Sequence, residues 1–194
     1  MHDNMEMSRG GIIAVTNRHL CRRPYLEQVE RICLRHPPAL IVREKDLAEE
    51  AYERLICEVR DICDAYDVFC IPHTYMEAAE RLRSCAVHLP LPLFRSCRDR
   101  ALRFRWAGTS VHSVQEALEA EALGAAYMTA GHVFSTDCKR GVLPRGTGFL
   151  KGVCEAVNVP VYAIGGMQGT ETCVREMSAF GASGICVMSE CMRW

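Results

Sequence analysis

The residues able to do chemistry in this chain follow directly on short apolar runs. In "TAGHVFSTDCKRG" a β-like segment runs into a polar turn, leaving His132 where the strand should end, with Thr136, Asp137, Cys138 and Lys139 just beyond. An imidazole with an unperturbed pKa near ~6.5 can accept and donate a proton at neutral pH, which suits a proton shuttle. The same spacing also fits a structural histidine hydrogen-bonded in a rim. Arg43 and Lys45, two apart after "ALIV", project the same way, with Glu44 opposed to them or paired. They suit a carboxylate or phosphate, or a plain rim salt bridge. Gly165 and Gly166 precede the helix-like "GTETCV" and offer bare backbone N–H groups, and Met188 and Ser189 sit in a second turn, "VMSE". Together they read as a phosphate site, although glycines can also serve only to allow a tight turn. Ser110 with His112, His73 and His88 end three further runs. A zinc site from these three histidines is disfavoured: "LPLP" after His88 has no acidic partner and His112 opens a capping box. No metal is assigned.

Groups at such positions need strands that share one end. The strand candidates are "GIIAVT", "ALIVRE", "VFCIPH", "AVHLP", "RWAGTSV", "YMTAGHVF", "VPVYAIGG" and "GICVMS", alternating with amphipathic runs such as "YLEQVERICLR" and "LAEEAYERLICEVRDICDAY". In "SVQEALEAEALG", Val114, Ala117, Leu118 and Ala122 recur at helical spacing, Ser113 and Glu116 form a capping box, and Gly124 closes the helix. Eight such alternations predict an α/β fold closed as a single (β/α)8 barrel over residues 1–194, not an open doubly wound sheet, at roughly two dozen residues per step. Chemistry then gathers at the C-terminal ends of the strands, with phosphate after strands seven and eight. "SECMRW" follows the eighth run directly, so the last helix is short or missing. A neighbouring subunit, a short helical turn or a truncation would each account for this.

Composition narrows the function classes. With 49% hydrophobic and 24% charged residues over 194 positions, the chain can bury a full core. A net charge of −1 with mixed signs gives no field for nucleic acid. "MHDNMEMSRGGIIAVTNR" has no long apolar stretch and no window approaches a membrane span, so the expectation is a cytoplasmic protein without membrane partners. Twelve cysteines are many, but there is no C-x-x-C pair, and most read as small core hydrophobes in a reducing compartment.

"GTSVHSVQEALEAEALGAAYMTAGHVFSTDCKRGVLPRGTGFL", "VPVYAIGGM" and "GASGICVMS" resemble the thiamine phosphate synthase/TenI superfamily, and "SVHS", "GHVFSTDCKRG" and "AIGGM" look like its TenI branch. The likeness is specific from Gly108 to Ser189 and looser back to the first strand, and it implies the same barrel. Synthases of this superfamily join a pyrimidine diphosphate to a thiazole phosphate, with magnesium held by carboxylates after strands three and four. Here those positions read Pro72-His73 and "LPLPLF". Synthase activity is therefore not expected, although Arg43, Lys45, Ser110 and Lys139 match its diphosphate and pyrimidine contacts. The TenI branch implies an isomerase, a cofactor-free thiazole tautomerase with His132 as acid/base. By the same resemblance Thr136, Asp137 and Cys138 line a thiazole phosphate pocket, with Gly166, Met188 and Ser189 on the phosphate. The partner expected is a small phosphorylated thiazole, and the bare last strand and the family's habit suggest a homo-oligomer, a dimer or higher. The rivals are synthase activity and a non-catalytic regulatory or ligand-binding role.

Overall fold

The computed structural model describes residues 11–136 and 141–194. Eight parallel strands, β1 (Gly11–Val15), β2 (Ala39–Val42), β3 (Phe69–Pro72), β4 (Ala86–Pro90), β5 (Trp106–Val111), β6 (Tyr127–Gly131), β7 (Val161–Ile164) and β8 (Gly184–Val187), run in the order β3-β2-β1-β8-β7-β6-β5-β4. A single parallel bridge, His73 to His88, with Thr74 N–H donating to the His88 carbonyl at 3.0 Å, joins β3 to β4 and completes a (β/α)8 barrel as expected. Side chains alternate in and out along each strand. The inward set, which includes Ile13, Val15, Ile41, Ile71, Tyr127, Tyr162 and Cys186, fills the barrel, and a larger apolar layer lies between strands and helices. Gly108 lets the interior close: a Cβ there would meet the Tyr127 ring at 2.1 Å. A buried aromatic on one strand thus takes the space that glycine leaves on its neighbour.

The helices are α1 (Tyr25–Cys33), α2 (Glu49–Ala65), α3 (Met76–Arg81), α4 (Leu91–Ser96), α5 (Arg98–Ala101), α6 (Val114–Leu123), α7 (Gly146–Ala156) and α8 (Glu171–Ser178). The α6 caps are as read: Ser113 Oγ accepts from Glu116 N–H at 3.0 Å, Glu116 accepts from His112 N–H at 2.6 Å, and Gly124 ends the helix at φ +94°. The buried face of α6 differs from the expected stripe. Ala117 and Ala120 face inward, whereas Val114 and Leu118 are 37% and 42% exposed, because the helix sets its small alanines against the layer beneath. Helix α4 follows "LP" directly, with proline in its first turn, where the missing N–H has no helical acceptor to serve.

After β8 a short 3-10 turn, Cys191–Arg193, stands where an eighth outer helix would begin. Cys191 and Met192 are fully buried, and the α1 residue Gln28 donates from Nε2 to the Cys191 carbonyl at 2.7 Å. The Arg35 guanidinium lies 4.4 Å from the Trp194 ring centroid. Of the accounts considered for the β8 seam, the short helical turn is present. The described cysteines are all free thiols, with Cys33, Cys63, Cys173, Cys186 and Cys191 buried among apolar side chains. No helix among the described residues is long and apolar enough to cross a membrane.

Candidate active site

The C-terminal mouth of the barrel opens into a cavity of about 770 Å³. From β2 come Arg43 and Lys45, both lining it. Glu44 between them points the other way: it is 2% exposed and accepts from Thr16 Oγ1 at 2.7 Å and from Arg18 N–H at 3.0 Å on each oxygen. Arg18 in turn forks onto Asp46 at 2.6 Å and 2.6 Å, and with His19 it holds the Asp46 carboxyl below the usual carboxylate range. Thr16 Oγ1 also accepts the Arg43 N–H at 2.9 Å. The acidic groups around this strand end are thus engaged elsewhere, and no acidic side chain among the described residues pairs with the Arg43 guanidinium.

Beside these cations lies the seam of the barrel. The His73 and His88 rings stack at 5.3 Å between centroids and 26° between planes, and both are buried. His88 Nδ1 is 3.1 Å from the Tyr127 hydroxyl and Nε2 is 2.9 Å from Ser110 Oγ; His73 Nδ1 is 2.6 Å from Thr74 Oγ1. Burial, then the Lys45 and Arg43 charges, push His88 down to about 3, and burial, His88 and the same cations hold His73 well below its ordinary value. Both rings are neutral at pH 7. Ser110 Oγ also accepts from Thr129 Oγ1 at 3.0 Å, so the serine expected at the site is the meeting point of a buried polar chain.

Across the mouth, β6 ends at Gly131 and not within "HVF", so His132 leads the following loop. It lines the cavity and is 4% exposed, with Nε2 3.3 Å from the Val142 carbonyl and Nδ1 buried without a partner among the described residues. A carbonyl only accepts, so that contact requires the proton on Nε2. His112 Nδ1 lies 2.6 Å from the Gly131 carbonyl and likewise donates to it. Gly165 (φ +98°) and Gly166 (φ +70°) are where this loop crosses the end of β7: a Cβ on Gly165 would sit 2.3 Å from His132 Cβ, and one on Gly166 2.7 Å from Phe134 Cβ. The glycines permit this crossing, as the tight-turn reading expects, and they also line the cavity. Gly165→Ala is expected to lose about 1–3 kcal/mol in urea unfolding, because a side chain at that φ is strained whatever the space. An unchanged midpoint would show that the loop yields freely.

Of the residues expected at the site, Arg43, Lys45, Ser110, His132, Thr136, Gly165, Gly166, Met188 and Ser189 line this one cavity. Asp137, Cys138 and Lys139 lie outside the described residues. Sequence reading missed Arg95, Glu116, Glu190 and Arg193 on the wall. Arg95 comes from α4, hidden by its prolines, and forks onto Glu119 at 2.5 Å and 2.9 Å; Glu190 accepts from Gly169 N–H at 3.0 Å. The described residues do not fit a magnesium ion held by carboxylates. The described residues contain no cluster of three or more metal-ligating side chains, His73 and His88 are neutral nitrogen donors, and the wall acids Glu116 and Glu190 are hydrogen-bonded to backbone N–H groups.

The model of the thiamine monophosphate synthase family matches residues 12–191. An Aquifex aeolicus protein with a provisional designation as a second thiamine-phosphate synthase is 31% identical, covering 96% of this chain and 100% of its own. The thiamine-phosphate synthase of Pyrococcus abyssi is 30% identical, over 93% of this chain and 86% of its own. Among solved structures, thiamine phosphate pyrophosphorylase from Pyrococcus furiosus superposes with a TM-score of 0.79 at 28% identity, covering 96% of this chain and 89% of that one. These names overturn the expectation of a thiazole tautomerase and of an isomerase in general, and with it the expectation against synthase activity. The physical reason for the error lies in one residue. A histidine at a strand end serves binding as readily as proton transfer, and the sequence pattern around His132 does not separate the two.

Proposed function

The chain belongs to the thiamine monophosphate synthase family, and on that premise we propose that it joins a pyrimidine carrying a methylene diphosphate to a thiazole phosphate, releasing pyrophosphate. The observation that carries this reading is that one cavity faces two separate anion-attracting stretches. These are the Arg43 and Lys45 cations at the end of β2 and the glycine turn with Met188 and Ser189 after β7 and β8. Its volume of about 770 Å³ suits two small heterocycles held together.

In this reading the thiazole phosphate sits with its phosphate on the Gly165-Gly166 and Met188-Ser189 backbone, and the diphosphate lies against Arg43 and Lys45. The thiazole nitrogen forms a bond to the methylene carbon as the carbon–oxygen bond breaks, and the electron pair leaves with the pyrophosphate. Cations beside the departing oxygens stabilise the charge that develops there, and holding both rings in one cavity converts a bimolecular step into an intramolecular one. Ser110, fixed by His88 and Thr129, presents a hydroxyl to the pyrimidine, while Thr136 and His132 form the thiazole wall.

The test is chromatography with mass detection of thiamine phosphate from the two substrates. Product above the no-enzyme control, reduced at least ten-fold by Arg43→Ala, is expected. No product at any magnesium concentration, with both substrates bound, would replace synthesis by a ligand-binding role.

A further inference from the structure

We infer that the β2 end of the cavity takes its diphosphate as a metal-free anion, with Arg43 and Lys45 supplying the positive charge that a divalent cation would otherwise bring. The inference rests on the reading of this cavity as a diphosphate site and goes beyond it in saying how the charge is met.

The donor set argues first. Magnesium takes oxygen ligands in near-octahedral array, usually with one or two carboxylates from the protein. At the end of β3 the protein offers His73, and after β4 it offers the start of α4, Leu91-Pro92-Leu93, which has no side-chain oxygen. Both His88 nitrogens are taken by Tyr127 and Ser110, and His73 Nδ1 is taken by Thr74, so the pair leaves one nitrogen between them. The imidazoles also cannot be moved cheaply, because the His73–His88 bridge closes the barrel.

Charge argues second. Arg43 and Lys45 lie close enough to the two rings to disfavour a proton on either, and the same field disfavours a dication at that place. Glu44 would offset it, but that carboxylate is turned outward onto Thr16 and Arg18, and Glu116 accepts from the His112 backbone. The Arg43 guanidinium, which pairs with no described acid, is left with a planar fork suited to phosphoryl oxygens.

Isothermal titration of the full chain with inorganic pyrophosphate, in EDTA and in excess magnesium, tests the inference. Binding in EDTA is expected to be at least as tight as in magnesium, which masks the ligand's charge, and Arg43→Gln and Lys45→Gln should each weaken it about ten-fold or more. Circular dichroism melts identify any variant that has not folded, and the other variant then carries the comparison. Binding only in magnesium overturns the inference, and the synthase reading survives if thiamine phosphate is still formed. Tight binding in EDTA with no product supports the metal-free site and removes the synthase reading. No binding in either buffer overturns the inference, and the synthase reading falls with it only if no thiamine phosphate is formed.

Discussion

Lowering the pH from 7.5 to 5 is expected to cost the fold about 2 kcal/mol through His88, with its stacked partner His73 adding to the loss in the same direction. His88 is pushed down to about 3 and His73 also lies well below its ordinary value, whereas both take up a proton near ~6.5 in the unfolded chain. For a group whose folded pKa is depressed, the stabilisation is complete above the unfolded pKa and is lost as pH falls toward the folded one. His88 therefore removes about 1.4 kcal/mol per pH unit below ~6.5, or about 2 kcal/mol by pH 5, and His73 acts in the same direction. The groups facing the pair sharpen the effect: Arg43 and Lys45 repel any added proton, and Tyr127, Ser110 and Thr74 fill ring positions. Carboxylates held low by arginine partners, such as Asp46, Glu80 and Glu119, lose their contribution in the same direction. Their loss begins only as the pH approaches their unfolded values near ~4, which separates the two windows. Urea unfolding at half-unit pH steps measures the slope, and a His73→Asn, His88→Gln double variant should flatten it above pH 5. A flat profile in the wild type, or an unchanged slope in the variant, removes the histidines as its cause. With natural domains stable by about 5–15 kcal/mol, a loss of this size is a measurable share of the whole.

The barrel was legible because its signal is periodic. Each β-branched run became a strand, and the caps Ser113 and Gly124 fell where residue chemistry demanded. The site was legible for a related reason: once strands are placed, the next few residues must share a mouth, and Arg43, Ser110, His132 and Gly165 do so. What sequence did not carry was contact between distant segments. His73 and His88 are fifteen positions apart and read as separate strand-end histidines, yet they meet as the closing bridge. The α6 stripe was misjudged because helical spacing finds the apolar residues and not the face that small alanines let approach. Reaction type was misjudged because one histidine was weighed more heavily than the cation pair shared with the synthase pattern, while the named relatives point the other way.

Glu44→Ala is expected to cost about 3–5 kcal/mol, because it leaves buried donors without their acceptor. The carboxylate, 2% exposed, receives the Thr16 hydroxyl and the Arg18 N–H and lies 3.5 Å from the Arg18 guanidinium. Alanine removes these contacts together. Thr16 matters twice, since its oxygen also accepts the Arg43 N–H at 2.9 Å and so links the buried acid to the strand end that presents the cations. Glu44→Gln separates charge from connection. Its amide oxygen can still accept from Thr16, so about 1–2 kcal/mol should be lost, with pyrophosphate binding largely retained. Alanine should weaken that binding under conditions where the variant remains folded, because Arg43 loses its anchor. Urea midpoints of both variants, read beside their pyrophosphate titrations, decide the matter. If alanine binds as tightly as wild type while unfolding earlier, Glu44 stabilises the β1–β2 edge and has no part in aiming the site.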